Sequence, residues 1–330
     1  MDFPRLQFML FAAALVIAQL LLLDRAAIST QALILATSAC LLWQLWWILP
    51  FTPLWRKEVK SSNDYATEKQ LSILTSNVFT PNRNAKALIN LVNHYKPDVL
   101  VTLESDQWWQ DQLEAIEADM PYSVKCPLDN LYGMHVYSRL PLDEQEISYL
   151  VEQDVPSIHV CLTLRTGDKM RAHFLHPAPP SPTENPESSE RDAELVMVAK
   201  SVADSNQPVI VTGDLNDVAW SATTRLFRKI SGLLDPRVGR GAFNTFHVGY
   251  PIARWPLDHL FHSSHFTLRD IKRLPSIDSD HFPLLTRLVF ASPNGNNQQG
   301  IKPEAEEKAW SEKITNNQQV SKSDVPTPAE

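Results

Sequence analysis

The chain has 330 residues, 44% of them hydrophobic, three cysteines and a formal net charge of -8. That length buries a full core and accommodates one large domain or two ordinary ones. The acidic balance speaks against a broad nucleic-acid footprint, and Cys40, Cys126 and Cys161 have neither metal-ligand spacing nor the even number of a disulfide framework.

Two apolar runs come first, Leu6 to Leu23 and Ala26 to Leu49, separated by Asp24-Arg25. Each is close to the ~20 residues that a helix needs to cross a bilayer. Trp43, Trp46, Trp47 and Trp55 cluster where the second run ends, as interfacial aromatic belts do. No Ala-x-Ala pattern follows Leu23, which disfavours a cleaved signal peptide. Residues 1–50 therefore read as a transmembrane hairpin. Arg5, Arg56, Lys57 and Lys60 flank it against Arg25 alone between the spans, and the positive-inside rule then places both ends in the cytoplasm.

Residues 51–70, with Pro53 and the polar run Lys60 to Gln70, read as a linker. A domain is expected over 71–290. Its first strand is Leu71 to Ser76, followed by a helix over Asn84 to Tyr95 whose apolar residues recur at helical spacing. Val99 to Val101 reads as a strand ending at Glu104, and Gln107 to Ala118 as a second helix. Short strands follow at Met134 to Tyr137, Ile147 to Val151, Ile158 to Leu164 and Arg171 to Leu175. Pro177 to Pro186, with five prolines in ten residues, reads as an exposed loop. Ala193 to Ala203 and Thr223 to Ile230 are expected helices, with strands at Val209 to Val211, Leu257 to Phe261 and Leu284 to Phe290. The polar stretch 291–330 cannot bury enough apolar surface to offset ordering and is expected to be disordered. Helix-covered strands at both ends of a hairpin-rich middle imply an α+β fold, a four-layer αββα sandwich of two mixed sheets.

Asn77, Glu104, His176, Asp214, Asn216, Asp258, Asp280 and His281 each fall at or just after the end of an apolar run. Strand ends let a rigid sheet aim several side chains into one cleft. In Gly213-Asp214-Leu215-Asn216, a carboxylate and a carboxamide share one side of an extended chain. Turn chemistry is the plainer alternative there, and Glu104 could equally cap the helix that starts near Gln107. Glu104 and Asp280 are hard oxygen donors of the kind that suit Mg²⁺ or Mn²⁺. Residues 221–290 carry ten Lys/Arg against five Asp/Glu, and Arg237, Arg240 and Arg254 are candidates to reach a phosphate.

The ordered set Gly213-Asp214-Leu215-Asn216, Leu257-Asp258-His259 and Ser279-Asp280-His281-Phe282-Pro283, with Tyr137-Ser138-Arg139-Leu140-Pro141-Leu142 before it, resembles the endonuclease/exonuclease/phosphatase superfamily. Together with the hairpin it is similar to a bacterial membrane-anchored branch, which implies the inner membrane and a multi-pass anchor. The resemblance implies a metal-dependent phosphoester hydrolase acting on nucleic acid, a lipid head group or a small phosphodiester, with no protein partner. It implies that Glu104 binds the ion, supported by Asn77 and Asp280. Asp214 would then activate water, Asn216 hold a phosphate oxygen, and His281, kept protonated by Asp258, stabilise transition-state charge. His176 would contact the phosphate or leaving oxygen, with Glu144, Glu146 or Glu152 as its candidate carboxylate partner. Ser76 before Asn77 and His259 after Asp258 depart from the AP-endonuclease pattern. A lipid phosphodiesterase, a phosphatase or a non-catalytic membrane scaffold are the alternatives.

Overall fold

A computed structural model of the chain describes residues 2–328 apart from 63, 65, 180–187, 204 and 292–296. Its α-helices are α1 (Arg5–Leu22), α2 (Ile28–Ile48), α3 (Ala85–Tyr95), α4 (Gln107–Glu117), α5 (Ser189–Val202), α6 (Ala222–Ser231) and α7 (Ala305–Asn317). Its strands are β1 (Gln70–Asn77), β2 (Val99–Leu103), β3 (Tyr122–Cys126), β4 (Met134–Ser138), β5 (Leu142–Ser148), β6 (Ser157–Thr163), β7 (Lys169–Leu175), β8 (Val209–Asp214), β9 (Asp258–His262), β10 (Phe266–Arg273) and β11 (Leu284–Phe290).

They form two mixed sheets, ordered β10-β11-β1-β2-β4-β3 and β5-β6-β7-β8-β9. The parallel pairs are β1 with β2 and β7 with β8. Alternate residues of each strand face opposite layers, and the burial follows that period. Ile73, Val101 and Val136 of the first sheet meet Ile158, Val160, Phe174 and Ile210 of the second in the central core. Leu74, Leu100 and Leu285 point the other way, onto Leu88 and Val92 of α3 and Trp109 and Leu113 of α4. Val209, Val211 and Phe261 likewise cover Leu195 and Val198 of α5 and Phe227 of α6. The expected α+β sandwich of four layers is the observed one.

Several boundaries differ from expectation. The strand expected at Ile147 to Val151 is β5, seven residues that begin at Leu142. It is an edge strand whose charged residues Asp143, Glu144 and Glu146 are exposed, so it carries no apolar alternation. β3 and β10 are also outer strands, and the charges of Arg269, Asp270, Lys272 and Arg273 masked β10. The expected proline-rich loop lies outside the described residues from residue 180 onward.

The tail expected to be disordered over 291–330 instead contains α7, packed on α5 and α6. Ser311 and Thr315 are buried, and these small polar residues allow close approach without an apolar stripe. Lys229 pairs with Glu307, Lys200 pairs with Glu312 at 3.1 Å, and Val325 is buried in the α5/α6 core. The expected linker is likewise a packed strap over 51–59. Phe51 and Val59 are buried, and Glu58 accepts from Arg228 at 2.7 Å.

α1 and α2 pack against each other with most of their apolar surface exposed, and both are long and apolar enough to cross a membrane. Their foot rests on the loops that follow β8 and precede β9. Trp220 Nε1 donates to the Asp2 carbonyl at 2.8 Å, and Trp255 Nε1 donates to the Phe3 carbonyl at 2.6 Å. Ile48, Phe51, Trp220, Val238 and Leu257 form the apolar seat beneath.

Candidate active site

The site is assembled where the central strands of the two sheets end. Thr75 of β1 and Thr212 of β8 share a hydrogen bond of 3.1 Å across the sandwich. Two residues further along each strand, Asn77 and Asp214 project in the same direction. Asn77 Nδ2 donates to Asp214 Oδ2 at 3.3 Å and to Glu104 Oε1 at 2.7 Å. The orientation of its amide is set by the Phe79 N–H, which donates to Asn77 Oδ1 at 3.0 Å. Gly213 is required beside Asp214: its φ is +152°, and a Cβ there would lie 1.8 Å from the carbonyl oxygen of Leu175 on β7.

Asp258 opens β9 directly opposite Asp214. His281, from the turn between β10 and β11, bridges the pair. Its Nδ1 lies 2.8 Å from Asp258 Oδ2 and its Nε2 3.4 Å from Asp214 Oδ2. Burial alone would favour the neutral ring, but Asp258 and then Asp214 overcome it and push the His281 pKa up to about 10. Burial pushes Asp214 above the usual carboxylate range, with the His281 charge opposing. Asp214, Asp258 and His281 offer ligand atoms within 4.8 Å of one another. Because both imidazole nitrogens are spent on the carboxylates, that trio is an ion-paired bridge rather than a metal cage. Ser279 fixes the turn by donating to the Asn77 carbonyl at 2.8 Å and accepting from the His281 N–H at 3.1 Å.

The capping role that Glu104 could have filled belongs to Asp106, which accepts from Trp109 N at 3.0 Å. Glu104 itself has a left-handed φ of 57°, uncommon for a residue other than glycine. That conformation turns its side chain back to Asn77. Its Oε2 is buried without a hydrogen-bond partner. Burial, with the nearby charges of Asp280 and Asp214 adding to it, raises Glu104 to about 7 against the hydrogen bond from Asn77. Asp280 stands half-buried at the edge of this acidic group. An orphaned buried carboxylate oxygen among oxygen donors is the chemistry that a hard divalent cation satisfies.

Asn216 adopts a left-handed φ of 49°, and its backbone N–H donates to Asp214 Oδ1 at 2.9 Å. Its Nδ2 donates to the Pro177 carbonyl at 2.9 Å, tying the β8 end to the His176 loop. His176 is buried, and burial lowers it to about 4, so its ring is neutral at physiological pH. Its Nδ1 has no hydrogen-bond partner. Among the described residues no carboxylate pairs with it, so the structure does not bring Glu144, Glu146 or Glu152 to this ring. Tyr132 lies against it instead, 5.5 Å between ring centroids.

Arg237 and Arg240 do not reach the cleft. Arg237 is buried, with Nη2 2.8 Å from Asp235 Oδ2 and 2.7 Å from His259 Nδ1. Arg240 Nη2 donates to the Val59 carbonyl at 2.7 Å. His259, one residue from Asp258, faces the opposite side of β9 and donates through Nε2 to the Asp217 carbonyl at 2.8 Å. Arg254 does lie at the rim, 5.0 Å from the Phe282 ring, with Arg273 4.5 Å from the same ring. Tyr132, Phe246, Ser279 and Arg273 were not singled out from the sequence. Only Ser279, inside Ser-Asp-His, had a motif to mark it.

Comparison with known proteins places this arrangement. No curated protein matches the chain. Zebrafish (D. rerio) TDP2 in complex with a single-strand DNA product is similar in structure at 18% identity, TM-score 0.57, over 66% of this chain and 98% of that one. An endonuclease/exonuclease/phosphatase family protein of Bacteroides thetaiotaomicron matches at 17% identity and TM-score 0.55, covering 68% and 98%. The human Nocturnin catalytic domain with a bound sulfate matches at 15% and 0.54, covering 68% and 95%. Those likenesses show the fold. In sequence, the family described as Endonuclease/Exonuclease/phosphatase matches residues 74–281, more than half of the chain, from within β1 to His281. The chain belongs to the endonuclease/exonuclease/phosphatase family.

Proposed function

We propose that the protein is a membrane-tethered, divalent-metal-dependent phosphoester hydrolase, a phosphodiesterase or nuclease in which Asp214 activates water and Glu104 holds the ion. The observation that carries this reading is the Asn77 amide, which joins Glu104 on one sheet to Asp214 on the other. An acid with an empty buried oxygen and a second acid beside an imidazolium supply the two things that cleavage of an anionic ester requires. Mg²⁺ or Mn²⁺ would be held by Glu104 and Asp280, with Asn77 positioning Glu104, and would supply charge neutralisation at the phosphate.

In the proposed reaction water attacks phosphorus, and its proton passes to Asp214. The bond from phosphorus to the leaving oxygen breaks and that oxygen takes a proton from solvent, while the His281 imidazolium faces the developing negative charge. Asp258 keeps that imidazolium charged and oriented. Asn216 donates its remaining amide hydrogen to a phosphate oxygen, and neutral His176 hydrogen-bonds the phosphate or leaving oxygen. The membrane tether rests on the length and apolarity of α1 and α2.

The test is a Mg²⁺-dependent activity panel on the full-length protein with double- and single-stranded DNA, RNA, sphingomyelin and bis-p-nitrophenyl phosphate. Turnover of at least one phosphodiester, abolished by Asp214→Ala in a folded protein, is expected. Inactivity on every substrate with both Mg²⁺ and Mn²⁺ would refute the reading.

A further inference from the structure

The rim of the cleft and the foot of the hairpin are the same piece of structure. Phe246 lies 4.9 Å from the His281 ring and stacks on Trp255 at 6.2 Å. Trp255 in turn meets Phe3 edge-on at 5.9 Å, two residues before α1 begins. From the other side, Gln7 Nε2 in the first turn of α1 donates to the Ile252 carbonyl at 2.9 Å. The loop 247–254 therefore lies level with the start of α1. An 18-residue helix is roughly 27 Å long and a 21-residue helix roughly 32 Å, against a hydrocarbon core of about 30 Å. If the hairpin spans, that level is the membrane–water boundary, where Trp43, Trp46 and Trp47 of α2 also gather.

The distribution of exposed apolar side chains agrees. Among the described residues, the large apolar side chains more than half exposed lie in the hairpin, save three. Leu54 is just beyond its foot, and the others are Tyr250 (62%) and Ile252 (85%) in the loop 247–254. Elsewhere among the described residues of the domain, large apolar side chains such as Tyr149 (48%) and Tyr122 (39%) stay under half exposed, and this pair is carried by the loop that Gln7 touches at the hairpin foot. Charge points the same way. Arg254 and Arg273 both lie against Phe282, next to His281. Arg254 donates to the carbonyls of His247 (3.3 Å) and Val248 (2.7 Å), and Arg273 to that of Asn244 (2.8 Å). Among the described residues neither pairs with a carboxylate, which leaves two uncompensated cations facing what approaches the cleft.

We propose that the cleft acts on phosphoesters of the bilayer itself, that is, on phospholipids of the leaflet against which the loop 247–254 rests, with Tyr250 and Ile252 dipped into that leaflet. The inference rests on the hydrolase and membrane reading above and narrows its substrate. A tethered enzyme whose cleft faced away from the membrane would sample soluble esters. This one has its catalytic histidine within three ring contacts of the helix that enters the bilayer. The phosphate of a lipid then reaches His281 with its acyl chains still in the leaflet.

Full-length protein in vesicles of phosphatidylethanolamine and phosphatidylglycerol tests this. Three activities are measured with Mg²⁺: release of phosphorylated head group from the vesicle lipids, hydrolysis of their deacylated analogues in solution, and hydrolysis of bis-p-nitrophenyl phosphate. Expected are lipid turnover well above that of the deacylated analogues and, for Ile252→Asp, about a tenfold loss on lipid with the soluble reporter unchanged within roughly twofold. A nitroxide at Ile252→Cys, in a Cys40→Ser background, should be shielded from a water-soluble relaxation agent. Turnover of the soluble reporter without lipid turnover, equal effects of Ile252→Asp on both, or a water-exposed nitroxide overturns this inference and leaves the hydrolase reading standing. Loss of both activities in the unmutated protein sinks the hydrolase reading, and this inference with it.

Discussion

Replacing Asp258 with Asn isolates the electrostatic part of the site, because the amide oxygen still accepts from His281 Nδ1 while the charge is removed. His281 rises from 6.5 to about 10 in the folded protein, which corresponds to roughly 5 kcal/mol of preference for the charged ring. Asp258 supplies the largest favourable share of that preference, ahead of Asp214, and burial opposes both. Losing one carboxylate partner lowers such a pKa by roughly 1–3 pH units. The alkaline limb of kcat/KM should therefore move from near 10 into the range of about 7–9, so activity near pH 9 should fall by roughly 2–100-fold while activity at pH 7 falls by about twofold at most.

The assay is the pH dependence of bis-p-nitrophenyl phosphate hydrolysis, taken to the alkaline limit of Mg²⁺ solubility. Stability gives a second readout with a defined sign. A raised histidine pKa stabilises the fold fully below 6.5, and the contribution is lost as pH rises through about 10. The unmutated protein should thus lose more thermal stability over that window than Asp258→Asn does. An alkaline limb that stays in place would refute the idea that Asp258 keeps His281 charged.

Glu104→Gln should raise the Mg²⁺ concentration for half-maximal activity by roughly tenfold or more, and an unchanged metal titration would remove Glu104 from the ion site. Gly213→Ala forces a Cβ to within 1.8 Å of the Leu175 carbonyl and should lower the melting temperature of the detergent-solubilised protein by about 10 °C or prevent folding. A melt within about 2 °C of the parent would show that β7 and β8 can part there. The full-length protein should stay with membranes through carbonate extraction, and release into the soluble fraction would count against a spanning hairpin.

What could be read from the sequence was whatever combined an apolar strand with a polar residue at its end. Asn77, Glu104 and Asp214 obey that pattern, Asp258 opens its strand and His281 lies in the turn before β11, and the structure brings all five to one place. The pairing of His281 with Asp258 came from the family resemblance, and the structure places the two side chains 2.8 Å apart. Ion pairs formed inside the fold left no such mark. Arg237 looked like a surface cation because its partner His259 is adjacent only in space, and the nearby Asp235 gives no sign by itself that the pair is buried. α7 was hidden because serine, threonine and paired charges make its contacts, and a composition argument counts those as solvated. The edge strands β5 and β10 failed the alternation test because charged side chains face water along them.

The Thr75–Thr212 hydrogen bond and the Asn77 amide have a consequence for how this enzyme tolerates change. One half of the reaction centre travels with each sheet, and the two meet across a seam of a single bond length. A core substitution that slides one sheet by even an ångström would separate water activation from ion binding while leaving the fold intact. Turnover would then report the alignment of the sandwich more sensitively than melting does, and variants that stay folded but lose activity should map to the seam between β1 and β8 rather than to the outer helices.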